Sequence, residues 1–125
     1  MKDTKAVLST LWIVVMINML KADILSLYIP GAAGELAEFA GETPIAQLML
    51  GAAIIMEIPI AMIFLARVLR YSVNRWTNIL VAVLTIVFVV GGGSTYPHYL
   101  FIAAIEVVCL LFIIWISWRW SPTEA

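Results

Sequence analysis

The stretch IAQLMLGAAIIMEIPIAMIFLA, residues 45–66, carries one charged side chain, Glu57, in 22 residues. A run of this length crosses a hydrocarbon core as a helix, which takes about 17–25 residues. Lipid offers no partner to backbone N–H and C=O groups, so an open sheet is excluded. A small barrel would show alternation instead of solid apolar runs. Three further runs share the character of the first, at 7–29, 76–92 and 97–118. The 76–92 run is the shortest and is expected to stand nearly upright. The chain has 125 residues, 64% of them hydrophobic, and a mean hydropathy of +1.07. These values describe one small membrane domain, and short links between the runs make it an all-α, antiparallel four-helix transmembrane bundle.

The net charge of −1 conceals an asymmetry. Lys2 and Lys5 precede the first run, Arg67, Arg70 and Arg75 fall between the second and third, and Arg119 follows the fourth. The first connector on the opposite side holds Glu35, Glu38 and Glu42 and no base, and the second holds no charge. Six of the seven basic residues therefore share one side, and the positive-inside rule places both termini in the cytoplasm of a cell membrane. Such a bias also opposes dual insertion. Tyr28, Tyr96 and Tyr99 mark the outer interface, with Tyr71, Trp76, Trp115, Trp118 and Trp120 at the inner one. Lys21 and Asp23 fit poorly in the core of a signal peptide, so the first run is read as a retained span.

The connectors have their own signals. In PGAAGELAEFAGETP, residues 30–44, prolines bracket and glycines punctuate a segment that makes either a turn or two of acidic amphipathic helix on the membrane or a solvated loop. The basic connector 67–75 is short, so the second and third helices are expected to be antiparallel neighbours. GGGSTYP, residues 91–97, reads as a tight turn from which Pro97 starts the last helix.

Function is sought where charge interrupts the spans, because a charged side chain near a bilayer centre costs about 2.5–3.5 kcal/mol on insertion scales. Lys21, Asp23, Glu57 and Glu106 are such residues. Counting about 1.5 Å of rise per residue inward puts Asp23 roughly 9 Å deep, Lys21 roughly 12 Å, Glu106 roughly 14 Å and Glu57 roughly 18 Å. All lie between the outer face and the midplane, in a layer that includes Asn18. Bundles turn such groups toward their interior or a wet cavity. The expectation is an outward-opening polar pocket in which Glu57 and Glu106, with Asp23, Lys21 and Asn18 as further candidates, bind a small cationic or lipophilic ligand or a proton.

Three acids against one lysine cannot all be ionised and paired, and Lys21 is expected to reach Glu106 or Glu57 on another helix or to snorkel along its stem. Interhelical hydrogen bonding alone is the competing role for these groups. Pro59, two residues after Glu57, removes a helical hydrogen bond and frees a carbonyl beside the carboxylate. Asn78 and Thr85 share one helix face and are expected to hydrogen-bond between helices. Arg67, Arg70, Arg75 and Trp76 form a basic, aromatic cluster suited to lipid headgroups.

Several classes find no support. One cysteine, Cys109, makes no intramolecular disulfide or dithiol centre, and with the lone His98 it makes no metal site. No cofactor motif or nucleophile marks an enzyme, although paired carboxylates acting on a lipid-like substrate would be its form. The soluble segments are too short to bind nucleic acid. The bilayer is the certain partner. A homo-oligomer would give four short helices room for a pathway, but no GxxxG motif signals one.

The segments LWIVVMINMLKADILSLYIPG (11–31), GAAIIMEIPIAMIFLARVL (51–69), NRWTNI (74–79) and IEVVCLLFIIW (105–115) resemble a family of small prokaryotic four-helix membrane proteins of unknown function. The resemblance spans nearly the whole chain. It implies the same topology and no activity. An aromatic residue is usual in that family where this chain has Lys21, so the resemblance gives Lys21 no family-wide role. The small multidrug exporters are also four-helix proteins of this length, but their essential glutamate lies in the first helix, where this chain has Lys21 and Asp23.

Overall fold

A computed structural model describes residues 3–91 and 96–121. Five helices follow in order: α1 (Thr4–Ser26), α2 (Ala32–Ala40), α3 (Ile45–Val68), α4 (Tyr71–Gly91) and α5 (Pro97–Arg119). Four of them, α1, α3, α4 and α5, are long and apolar enough to cross a membrane, and there is no strand among the described residues. The turn expected in residues 91–97 falls largely on residues 92–95, outside the described residues.

Helix ends follow local chemistry more than hydropathy. Asp3 caps α1, its carboxylate accepting from the Ala6 N–H at 3.1 Å, so the helix begins ahead of the apolar run. It ends at Ser26, short of the expected 29, where Tyr28 and Ile29 donate to the carbonyls of Leu25 and Ser26 in tight three-residue steps and Pro30 blocks continuation. The acidic connector is helical over Ala32–Ala40, and a glycine with positive φ sits at each end, Gly31 at 83° and Gly41 at 58°. Those left-handed turns favour glycine, and they bend the chain into and out of α2.

The largest departure is at the basic connector. Instead of a loop over 67–75, α4 starts at Tyr71 and only Leu69 and Arg70 separate it from α3. Asn74 makes this possible: its Nδ2 donates to the carbonyls of Ala66 at 2.8 Å and Leu69 at 3.1 Å, which the end of α3 leaves open. Arg75 reaches across to the end of α5. Its Nε donates to the Ser117 carbonyl at 2.9 Å and its Nη2 to the Trp118 carbonyl at 2.8 Å. The guanidinium also lies over the rings of Trp76 and Trp118, 4.9 and 5.5 Å from their centroids. Beside it, Tyr71 Oη donates to the Trp120 carbonyl at 2.7 Å, and the two rings meet edge to face.

Arg75→Ala is therefore expected to lower stability by about 1–2 kcal/mol. Arg75→Lys should recover less than half, since an ammonium lacks the planar fork and stacks poorly. Unfolding in mixed micelles checks both.

Around the bundle the order is α3, α1, α5, α4, each antiparallel to its neighbours. Ser9 near the start of α1 donates to the Ile63 carbonyl near the end of α3 at 2.7 Å, and Tyr99 near the start of α5 donates to the Val89 carbonyl near the end of α4 at 2.9 Å. Across the diagonal, Trp12 of α1 is fully buried and its Nε1 donates to Asn78 Oδ1 of α4 at 2.8 Å. Asn78 Nδ2 donates in turn to both the carbonyl and the Oδ1 of Asn74. Asn78 thus bonds between helices as expected, whereas Thr85 donates to the Val81 carbonyl of its own helix. α3 and α4 touch least of the adjacent pairs and leave an apolar cleft of about 290 Å³ between them, lined by Ile55, Pro59, Thr85 and Phe88 among others.

Candidate functional site

Glu106 is the only acidic residue buried in the bundle among the described residues, with 3% of its surface exposed. It sits in the tenth position of α5, facing α1 and α4, and its Oε1 has no hydrogen-bond partner among the described residues. Beside it is a pocket of about 220 Å³. Helical spacing explains the lining. Tyr99 and Glu106 lie two turns apart on one face of α5; Met19, Ala22 and Asp23 share a face of α1; Ala52 and Met56 share one of α3; and Phe88 and Val89 close it from α4. Two carboxyl groups line this pocket and no basic side chain does. Ala22 and Ala52 leave it the room.

The structure separates the residues that hydropathy had grouped. Asp23 and Glu106 line one pocket, Asp23 at its exposed rim and Glu106 at its buried wall. Glu57 does not join them. It lies on the exposed face of α3, one residue on from the pocket-lining Met56 and turned away from the core side that buries Pro59, Met62 and Ala66. Lys21 is exposed on the outer face of α1, and no ion pair links it to Glu57 or Glu106 among the described residues. Asn18 donates its Nδ2 to the Val14 carbonyl one turn back and stays outside the pocket.

The sequence alone marks Tyr99 only as an interface residue. Its seven-residue spacing from Glu106 is the signal that places the two on one face. Its hydroxyl donates to the Val89 carbonyl, which fixes the ring at the pocket wall. Just above, Ser26 Oγ and His98 Nε2 lie 3.3 Å apart and join the end of α1 to the start of α5.

At the opposite end, the basic cluster binds helices together. Arg67 Nε donates to Ser9 Oγ at 3.2 Å, and Arg75 holds the end of α5 as described. Arg119 lies over the Trp115 ring at 5.7 Å, while Arg70 and Trp76 are exposed.

The apolar cleft between α3 and α4 shares Met19, Met56 and Phe88 with the carboxyl-lined pocket, so an apolar and a polar hollow lie side by side. Helices of spanning length around these hollows define a helical membrane protein with a carboxyl-lined pocket inside the bundle. The chain belongs to a family of unknown function, DUF6326, which it matches over residues 1–125. No curated protein and no solved structure matches it.

Proposed function

We propose that this protein binds, and in doing so serves to move or sense, a small amphiphilic cation such as a protonated amine in the cell membrane. Glu106 and Asp23 receive the charged head and the α3–α4 cleft receives the tail. The observation that carries this reading is the buried Glu106 Oε1 with no partner beside a pocket with two carboxyl groups and no base. A buried carboxyl that only fixed helix packing would be bonded across the bundle, as Trp12 is to Asn78. A bound ammonium satisfies both carboxyl groups with charge-assisted hydrogen bonds. The basic residues at the termini end favour cytoplasmic termini, which would open the pocket toward the outside.

The test compares n-octylamine with n-octanol, which share a tail and differ in charge. In nanodiscs, n-octylamine is expected to raise the wild-type melting temperature in a saturable way, while n-octanol does so at least tenfold less potently. Glu106→Gln should lose the amine response and keep its fold, and Asp23→Asn should weaken it. Equal responses to amine and alcohol, or an undiminished response in Glu106→Gln, would refute a cation site at Glu106.

A further inference from the structure

Glu57 lies on α3 about 18 Å from its α2 end and about 16 Å from its other end, too deep for its short side chain to reach either boundary. It faces outward, where a bilayer would surround it, and charged side chains in that position are rare unless they face protein or pair. Its helix is also the least covered of the four: 11% of the most apolar stretch of α3 is buried, against 33–39% in the others. A second unpaired charge faces outward at a similar depth. Met19 and Asp23 line the same pocket as Ala52 and Met56, which sets Lys21 level with the middle of α3, within about a turn or two of Glu57. The other described basic residues, Lys5, Arg67, Arg70, Arg75 and Arg119, all lie toward the termini end.

We infer that this face is covered by a second copy of the chain, with Lys21 of each copy paired to Glu57 of the other. Within one chain the two charges point away from the core on separate helices and do not meet. A two-fold axis along the membrane normal keeps depth unchanged and brings α1 of one copy to α3 of the next. Side chains lean toward their helix's N-terminus, so Lys21 on α1 and Glu57 on the antiparallel α3 lean toward each other's level. Ala53, one turn before Glu57 on the same exposed face, permits close approach, and Ile17, Leu20, Ile54 and Phe64 supply the surrounding apolar contact. The pair leaves the interface neutral. None of this depends on the pocket at Glu106 binding a ligand.

Energy transfer between donor- and acceptor-labelled copies in phosphatidylcholine vesicles, followed as lipid is added, tests the inference. Wild type is expected to stay associated at dilutions where Lys21→Glu and Glu57→Lys, taken singly, associate at least about tenfold more weakly. The double exchange Lys21→Glu/Glu57→Lys should restore association. In case a reversed charge prevents insertion, the neutral pair Lys21→Met and Glu57→Gln provides a second cycle, in which the double variant should lose no more than either single one. A wild type that dissociates as readily as an unrelated monomeric membrane protein would overturn the proposal, as would additive losses in the neutral cycle.

Discussion

Asn78→Leu is expected to be the most damaging single substitution in the bundle, with a loss of about 3 kcal/mol in micelle or nanodisc unfolding. Leucine fills a similar volume, so the effect comes from hydrogen bonds. Asn78 is fully buried; its Oδ1 accepts from Trp12 Nε1 and its Nδ2 donates to Asn74. Removing it strands a buried indole N–H on α1 and leaves Asn74 Oδ1 without its donor. Each interhelical hydrogen bond in a membrane is worth only about 0.6–2 kcal/mol, so the total depends on several being lost together. Trp12→Phe supplies the control. It removes one donor, should lose about 1 kcal/mol alone, and should lose much less once Asn78 is already leucine. Equal losses in both backgrounds would mean that the two residues act independently.

Glu106→Leu is expected to go the other way, gaining about 1 kcal/mol of stability while abolishing the n-octylamine response. The chemical change is similar and the depth comparable. The sign differs because Asn78 has partners at both ends of its amide, whereas Glu106 holds a buried oxygen with none. Replacing it removes an uncompensated desolvation cost and fills part of a pocket of about 220 Å³. Stability gained as binding is lost is the trade expected of a site kept for function. A loss of stability comparable with that of Asn78→Leu would instead identify Glu106 as part of the packing.

The four spanning helices were legible because apolar runs of sufficient length are unambiguous in a chain this hydrophobic. The starts of α1 and α4 were less so. Asp3 and the mostly polar stretch Tyr71–Arg75 fall outside the apolar runs, yet a capping carboxylate and a side chain that closes the previous helix extend both elements. α2 was half legible, since the glycines that permit its turns are equally at home in a loop.

For the pocket, depth along the sequence put Asp23, Glu57 and Glu106 in one layer but could not tell which way Glu57 faces. α3 is apolar on every side, so its sequence has no polar face from which direction could be read. Only its packing against α1 settles it. Tyr99 escaped for a related reason: tyrosine near a helix end is ordinary interface chemistry until a second residue two turns away gives it a direction.

The diagonal contact from Trp12 to Asn78 bears on how the protein is made. α1 is synthesised first, yet Ser9 and Trp12 must wait for Ile63, Arg67 and Asn78 before their polar atoms find partners. The end of α5, which Arg75 and Tyr71 grip, comes later still. Until α4 has been made, the first helix lacks the partner that Trp12 has in the finished bundle, and during that interval it is exposed to any factor that recognises an unsatisfied span.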